Sequence, residues 1–192
     1  MGEQFNYQSY QVRRKIFTFF GAKFHVYNPN KEVVLFSKLK AFKLKEDVRL
    51  YESGDMTKEL INIHARKIID ISSSYDVCDS QTGEKIGVLK RKGVKSMFKD
   101  EWLISDKNDI EIGIIQEDNV GLALVRRFLF NLIPQNFNVI INGTLVCTFK
   151  QNFNPFVLKL NLDFSLDRDE VLDKRLGIAA AIMLCAIDGR QN

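Results

Sequence analysis

The feature that most constrains the fold is an uninterrupted apolar run near the end of the chain, residues 176–187, with the sequence LGIAAAIMLCAI. At helical spacing this run is apolar on every face, so a helix formed from it must be buried in protein or in lipid. The 12 residues of the run would rise only about 18 Å, whereas a bilayer core requires about 20 residues. Charged residues flank the run on both sides: Asp173, Lys174, Arg175, Asp188 and Arg190. We therefore predict a helix buried within the protein and no transmembrane span.

The residues before this run predict where the helix begins. Ser165 or Asp167 is a suitable N-cap, and Asp169 and Glu170 then fall in the first turn, where they oppose the positive end of the helix dipole. The helix is predicted to span residues 168–187, with a margin at each end. Small side chains recur along it, which indicates close packing on all sides. A barrel wrapped around the helix would provide such surroundings.

Most of the remaining chain alternates apolar and polar residues over short stretches that end at Asn, Asp or Gly. Four hairpins follow this pattern and begin at positions 24, 75, 102 and 137. In the last of them, residues 137–141 form one strand, Asn142 and Gly143 form the turn, and residues 145–149 return. The unequal spacing excludes a solenoid or a propeller, which needs a fixed period. Repeated hairpins instead favour an antiparallel meander that closes on itself and leaves no exposed strand edge.

One stretch fits two structures. Residues 121–131 place apolar side chains at positions 122, 125 and 129, which is the spacing of a short helix. The same residues also fit two strands. The sequence leaves both alternatives open.

The composition is that of a folded domain without long linkers. Of the 192 residues, 45% are hydrophobic, 27% are charged and only 3 are proline, so we treat residues 1–192 as a single domain. The three cysteines, Cys78, Cys147 and Cys185, are widely spaced and predict neither a disulfide framework nor a metal site. The N-terminal residues lack the pattern of a secretory leader. Together with the cysteines, this predicts a cytoplasmic protein, with peripheral attachment to a membrane as a further option.

Four segments share the pattern of one family: residues 10–17 (YQVRRKIF), 75–77 (YDV), 86–92 (IGVLKRK) and 172–181 (LDKRLGIAAA). In this order they resemble the LURP-one-related family, which is part of the tubby-like and phospholipid-scramblase-like superfamily. The resemblance implies a mainly β fold, a closed antiparallel barrel of about twelve strands around a buried hydrophobic C-terminal helix. It implies little chemistry, because most of the family has no assigned biochemical function.

Two branches of that superfamily suggest functions by analogy. Tubby-like domains bind phosphoinositides through basic side chains near the barrel surface, and DNA binding has been proposed for them. Scramblases are linked to calcium through an acidic segment before the terminal helix. The corresponding residues here, 150–159, hold two lysines and no carboxylate. Because calcium requires several carboxylate oxygens, we expect no calcium site, and the sequence indicates no other metal and no cofactor.

Basic clusters supply the candidate binding residues. Six residues are candidates for contact with an anionic headgroup: Lys90, Arg91, Lys92, Lys95, Lys38 and Lys40. The first four lie in residues 85–99, which contain no acid, and the last two share one face of a strand by their i, i+2 spacing. Phosphate-bearing headgroups are attracted to such patches. In the alternative interpretation these are solvated strands, with charges that are offset by the acids after residue 99 or that protect a strand edge. Arg13, Arg14 and Lys15 form a third basic group.

Catalytic motifs are absent from the sequence. Neither His25 nor His64 has a serine, cysteine or carboxylate at a recognisable catalytic spacing, and no P-loop, nucleophile elbow, dinucleotide fingerprint or zinc motif occurs. We therefore predict no catalytic residues and a non-enzymatic module that binds anionic lipid or phosphoinositide headgroups at a membrane surface. The alternatives are a protein-interaction or scaffold domain without a small-molecule ligand, a DNA-binding regulator, and a scramblase-like protein. The mild net charge of +4 disfavours nucleic acid as the partner.

Overall fold

The computed structural model describes residues 2–17, 21–40, 47–66, 74–92, 101–118, 134–152 and 157–188. Within these ranges lie twelve β-strands, one α-helix (α1, Lys174–Asp188) and one turn of 3-10 helix (Glu3–Phe5). The strands are β1 (Ser9–Phe17), β2 (Gly21–Tyr27), β3 (Val33–Lys40), β4 (Asp47–Tyr51), β5 (Glu59–Ala65), β6 (Ser74–Asp79), β7 (Lys85–Arg91), β8 (Glu101–Ser105), β9 (Glu111–Glu117), β10 (Asn136–Ile141), β11 (Thr144–Asn152) and β12 (Leu158–Asp163).

The strands form a closed antiparallel barrel in which each strand pairs with its neighbours in sequence. The barrel closes where β1 pairs with β12, in a register that runs from Ser9 opposite Asp163 to Arg14 opposite Leu158. Closure leaves no strand edge along this sheet. The predicted mainly β fold, a closed barrel of about twelve strands with a C-terminal helix, is confirmed.

Alternation along the strands separates an interior face from a solvent face. In β2, Ala22, Phe24 and Val26 are buried, whereas the residues between them are only partly buried. This is the two-residue period of a strand that has one face on the core. A shift of one residue in register would exchange the two faces, so the hydrophobic pattern fixes the pairing.

The helix fills the barrel. Every residue from 176 to 186 is buried, and no side chain among the hydrophobic ones is more than 3% exposed. Close packing explains the small residues of α1, because a Cβ at Gly177 would lie 2.7 Å from the Phe164 ring. The apolar run is therefore buried in protein, as its length predicted. The described part of the chain contains no helix with the length and hydropathy needed to cross a membrane.

The helix begins at Lys174, six residues later than the predicted position 168. Asp173 is the N-cap, because its carboxylate accepts a hydrogen bond from the Arg175 N–H at 2.9 Å. Asp167 has a different role: it is buried and accepts hydrogen bonds from the N–H groups of Val171 (2.9 Å) and Leu172 (3.0 Å). Glu170, with φ of 50°, keeps these residues out of helical geometry.

Five strand connections lie at one end of the barrel together with the segment that leads into α1. We call this end the turn end; it comprises residues 28–32, 52–58, 80–84, 106–110, 142–143 and 164–173. The helix enters from the turn end and runs toward the opposite end, where Arg14 Nη1 donates to the carbonyl of Cys185 at 3.1 Å. A cation at this position opposes the negative end of the helix dipole. The ambiguous stretch 121–131 lies outside the described residues.

Candidate anion-binding surface

Three lysines stand side by side on the solvent face of three neighbouring strands. Lys15 of β1 is directly opposite Lys23 of β2, and Lys23 is directly opposite Lys38 of β3. Residues that are directly opposite in a sheet have Cβ atoms about 4.5–5.5 Å apart, so like charges there destabilise the sheet. The barrel therefore holds three positive charges in one row at a cost in folding free energy.

The next row adds two more cations. Arg13 of β1 is opposite Lys159 of β12 on one side and His25 of β2 on the other. Arg13 also stacks on Tyr27, with its guanidinium carbon 4.2 Å from the ring centroid, which fixes the position of its planar head. We define the basic face by its five cations: Arg13, Lys15, Lys23, Lys38 and Lys159.

Carboxylates are missing from the strands that carry this face. The sequences of β1, β2 and β3 contain no Asp or Glu, and β12 has one, Asp163, at its last position. No carboxylate among the described residues forms an ion pair with Arg13, Lys15, Lys38 or Lys159. At these four side chains, the carboxylates of the described residues leave the positive charge unpaired.

The pKa of His25 reflects the positive charge of the basic face. Its pKa is lowered from the ordinary value of 6.5, first by partial burial and then by the charges of Lys15, Lys23 and Arg13. Each of these charges disfavours the protonated ring. The positive charges that disfavour protonation of His25 would attract an anion bound at the same place.

A polar groove of about 670 Å³ adjoins the basic face and is lined partly by Arg13, Tyr27, Lys31 and Lys150. Hydrogen bonds between side-chain amides hold part of its lining in place. Gln11 Nε2 donates to Asn161 Oδ1 at 2.7 Å, and Asn161 Nδ2 donates to Asn152 Oδ1 at 2.8 Å. The one carboxylate of the lining, Asp163, accepts the N–H of Ser165 at 2.9 Å. The groove thus combines cations with fixed amide groups, which suit phosphate and hydroxyl groups respectively.

The structure separates the six residues predicted from the sequence. Lys38 is exposed and belongs to the basic face, and Lys40 lies on the same strand, opposite Gly21. Lys90 is exposed on β7, whereas Arg91 is the next residue along the strand and is directed to the other face by alternation. Lys92 forms an ion pair with Glu101 at 3.2 Å. Lys95 lies outside the described residues.

Acids engage the basic side chains around β7. Lys85 Nζ lies 2.9 Å from the Asp109 carboxylate and 4.0 Å from that of Asp76, and Arg66 binds both acids. Together with the pair between Lys92 and Glu101, these contacts follow the pattern of the alternative interpretation, in which later acids offset the charge of this hairpin. The assignment of Lys90, Arg91 and Lys92 to a binding site stays a prediction.

Sequence reasoning missed two of the five cations of the basic face. Lys23 and Lys159 are isolated in sequence, and only the pairing of β2 with β1 and of β12 with β1 brings them to Arg13 and Lys15. The group formed by Arg13, Arg14 and Lys15 divides between two faces, because Arg14 is buried inside the barrel. Strict alternation in residues 10–15 was the signal that could have separated them.

The described ranges contain neither a cluster of metal ligands nor, at Cys147, a thiol that is ionised at neutral pH. No group of three or more His, Cys, Asp or Glu side chains in them is placed to hold a metal ion. Burial raises the pKa of the Cys147 thiol far above its ordinary value, so this thiol stays protonated at neutral pH.

Comparison with known proteins identifies the family. Searches of curated proteins and of solved structures return no match to this chain. A family model described as LURP-one-related matches residues 8–185, which is nearly the whole chain and includes all twelve strands and most of α1. The chain belongs to the LURP-one-related family.

Proposed function

We propose that this protein is a non-enzymatic module that binds anionic, phosphate-bearing lipid headgroups at a membrane surface through the basic face. The observation that carries the proposal is the row of three lysines, Lys15, Lys23 and Lys38, in direct cross-strand register on strands that contain no carboxylate. A sheet that needed only solubility would alternate charges of both signs across its strands, since opposite charges in register stabilise it.

An anionic membrane would offset the electrostatic repulsion between the lysines of this row. Each Lys or Arg near an anionic leaflet contributes about 1 kcal/mol of attraction, so five cations on one face supply enough for measurable binding. The attraction depends on ionic strength, because exposed charges are screened over about 10 Å at ordinary salt. Binding through this face should therefore weaken strongly as salt is added.

The groove beside the face supports a headgroup as the ligand. The guanidinium of Arg13, held on the Tyr27 ring, offers paired N–H donors that match two phosphate oxygens. The amides of Gln11 and Asn161 can exchange their mutual hydrogen bond for bonds to ligand hydroxyl groups. By analogy with tubby-like domains, a phosphorylated inositol headgroup is the ligand class we favour. We do not extend the analogy to calcium-dependent scrambling, because residues 150–159 contain no carboxylate.

Liposome co-sedimentation tests the proposal. Vesicles of phosphatidylcholine alone are compared with vesicles that also contain phosphatidylserine or a phosphoinositide, at low and high salt. We expect binding to the anionic vesicles only, with loss at high salt and loss in the double variant Lys15→Gln, Lys38→Gln. The matched control is Lys58→Gln, Lys107→Gln, which removes two exposed lysines from the turn end and should bind as the wild type does.

Three outcomes of this experiment would count against the proposal. Failure to bind any anionic vesicle removes the function, and equal loss in both double variants shows only a dependence on net charge. Loss in Lys90→Ala, Lys92→Ala without loss in the Lys15 and Lys38 variant assigns binding to the other part of the predicted set, at Lys90, Arg91 and Lys92. Competition with a DNA duplex distinguishes a preference for nucleic acid from one for lipid.

A further inference from the structure

The groove beside the basic face contains a chain of hydrogen-bonded side chains that crosses three strands. Arg13 Nε of β1 donates to Gln11 Oε1 on the same strand. Gln11 Nε2 donates to Asn161 Oδ1 of β12 at 2.7 Å, and Asn161 Nδ2 donates to Asn152 Oδ1 of β11 at 2.8 Å. All four side chains line the groove. We call Gln11, Asn161 and Asn152 the amide ladder.

Arg13 determines the direction of every hydrogen bond in the amide ladder. A guanidinium has only donors, so the atom of Gln11 that faces Arg13 Nε must be the carbonyl oxygen. The NH2 group of Gln11 then faces Asn161, where it can meet only an oxygen. The same reasoning orients Asn152. Donor and acceptor chemistry thus assigns the nitrogen and the oxygen of each amide.

This orientation makes the ladder a set of hydrogen-bond donors. Each amide oxygen is directed toward a donor inside the ladder, whereas each NH2 group has two N–H bonds to offer. Gln11 and Asn161 each use one of their N–H bonds. Asn152 donates to no acceptor among the described residues. Gln11 and Asn161 therefore each keep one N–H for a ligand, and Asn152 keeps two.

The guanidinium of Arg13 adds a fixed pair of donors. Gln11 holds its Nε, and its plane lies on the Tyr27 ring, with the guanidinium carbon 4.2 Å from the ring centroid. Neither contact uses Nη1 or Nη2, and no other partner of Arg13 lies among the described residues. Two parallel N–H groups of a guanidinium match two oxygens of a phosphate. Lys150, opposite Asn161 in β11, adds a further cation to the lining.

Asp163, the one carboxylate of the lining, lies toward the turn end of the groove. It is directly opposite Ser9, and Ser9 is about 13 Å along β1 from Arg13 at the usual rise per residue of a strand. The Asp163 carboxylate accepts the N–H of Ser165 at 2.9 Å. An anion bound beside Arg13 is therefore well separated from this negative charge.

We propose that the groove binds a terminal phosphate monoester and that Arg13, through the amide ladder, selects this group over other anionic headgroups. The oxygens of a monoester dianion only accept hydrogen bonds, so they can meet the Arg13 guanidinium and the N–H groups of the ladder together. No bond of the ladder has to break. The headgroup of phosphatidylserine carries an ammonium, which has only donors and would face donors and cations here.

In its lipid form this inference rests on the proposed function and adds specificity to it. The basic face attracts any anionic surface, because exposed lysines act as point charges. The groove distinguishes among the headgroups of that surface by their hydrogen-bonding capacity. A soluble phosphate monoester has the same chemistry as the lipid headgroup, and the experiments below separate the two sources.

Vesicle selectivity tests the inference. Phosphatidylcholine vesicles that contain either phosphatidic acid, a phosphate monoester, or phosphatidylserine are prepared with equal zeta potential, so that attraction to the basic face is matched. We expect about tenfold or more tighter binding to the phosphatidic acid vesicles, as one or two hydrogen bonds to a charged group predict. The double variant Gln11→Met, Asn161→Leu changes no charge and should reduce this ratio to about one. Arg13→Lys, which lacks the Nε–H and the paired donors, should do the same.

The matched control is the double variant Gln116→Met, Asn138→Leu. These two amides are directly opposite each other on β9 and β10 and do not line the groove. The control should keep the selectivity of the wild type. The dispersion of amide resonances checks that each variant is folded.

NMR titration of the full chain with inorganic phosphate separates this inference from the membrane function. Phosphate should shift the side-chain NH2 resonances of the amide ladder, and chloride at equal ionic strength should not. These shifts without binding to any anionic vesicle would refute the proposed membrane function and would support the groove as a site for a soluble monoester.

Several results would overturn the inference. They are equal binding of the two vesicle types by the wild type, an unchanged ratio in the folded Gln11 and Asn161 variant, and an equal loss of selectivity in the control. Phosphate-induced shifts that leave the NH2 resonances of the ladder unchanged would also do so.

Discussion

At the scale of single residues, one step along a strand decides whether a cation faces water or the core. Arg13 stacks on Tyr27 at the surface, Arg14 is buried and donates to the end of α1, and Lys15 returns to the solvent face opposite Lys23. Three adjacent basic residues thus perform two different tasks. The buried arginine stabilises the helix, and its two neighbours supply charge to the basic face.

Replacement of Lys15 with glutamate should stabilise the fold while it abolishes anion binding. Lys15→Glu converts a repulsive cross-strand pair with Lys23 into an attractive one, with an expected gain of about 0.2–1 kcal/mol. Urea unfolding measures the gain, and co-sedimentation measures the loss of binding. Lys58→Glu is the control of opposite sign, because Lys58 already lies 3.0 Å from Glu52 and its reversal should destabilise the protein. A loss of stability in Lys15→Glu would show that the lysine row carries no strain.

Binding of an anion at the basic face should raise the pKa of His25. In the free protein this pKa lies below 6.5 because of partial burial and the nearby charges of Lys15, Lys23 and Arg13. A bound anion offsets these charges and favours the protonated ring. By linkage, affinity for the anion should increase as the pH falls through the pKa of His25.

NMR titration of the histidine ring protons, with and without inorganic phosphate or anionic micelles, measures this shift. His64 lies on β5, away from the basic face, and its resonance should not respond to the anion. An unchanged His25 titration curve in the presence of a bound anion would place the ligand elsewhere.

At the scale of the elements, the segment before α1 is as important as the helix itself. Residues 164–173 carry the chain from the outer wall into the interior, with Phe164 and Leu172 buried. The carboxylate of Asp167 satisfies two backbone N–H groups in this segment. Buried donors without a partner are costly, so this aspartate fixes the entry path of the helix.

Removal of the Asp167 carboxylate should destabilise the protein. Asp167→Ala leaves the N–H groups of Val171 and Leu172 without their acceptor, at an expected cost of about 1–3 kcal/mol. Asp169→Ala, at an exposed position in the same segment, should change the free energy of unfolding by less than about 0.5 kcal/mol. Urea denaturation of both variants makes the comparison, and equal effects would refute the role assigned to Asp167.

Deletion of the chain after Val171 should unfold the barrel rather than release it from a membrane. The deleted part includes the large buried side chains of Leu176, Ile178, Ile182, Met183 and Leu184. At about 1.5–3 kcal/mol each, their loss is comparable to the whole stability of a typical domain, about 5–15 kcal/mol. Near-ultraviolet circular dichroism and thermal melting should show no cooperative transition. A truncated chain that melts cooperatively would contradict a barrel built around its helix.

At the scale of the whole molecule, the sequence predicts the architecture well and the binding surface poorly. Two-residue alternation and turn residues recur in the four hairpins that begin at positions 24, 75, 102 and 137. An all-apolar run of 12 residues must be buried, so the barrel and its central helix follow from local pattern. The start of the helix does not, because Asp167 and Asp173 are equally good caps. Only the backbone at Glu170, with φ of 50°, decides between them.

The basic face depends on register rather than on local sequence. Its rows require the β1–β2 and β2–β3 pairings and the closure of β12 onto β1. Lys159 lies opposite Arg13 although the two residues are far apart in the chain. A slip of one residue in any of these pairings would turn a lysine inward. A short stretch of sequence therefore cannot predict this surface, because it depends on the pairing of strands.

The position of α1 at the centre of the barrel also has a consequence for biosynthesis. A chain emerges from the ribosome N-terminal end first, and here the twelve strands that form the wall precede the helix that fills it. Until residue 188 has left the ribosomal exit tunnel, the strands cannot pack against the helix. Their apolar faces are then accessible to other nascent chains. The protein should therefore acquire its native structure after translation of the helix, and it should depend on chaperones that shield β-rich intermediates during that interval.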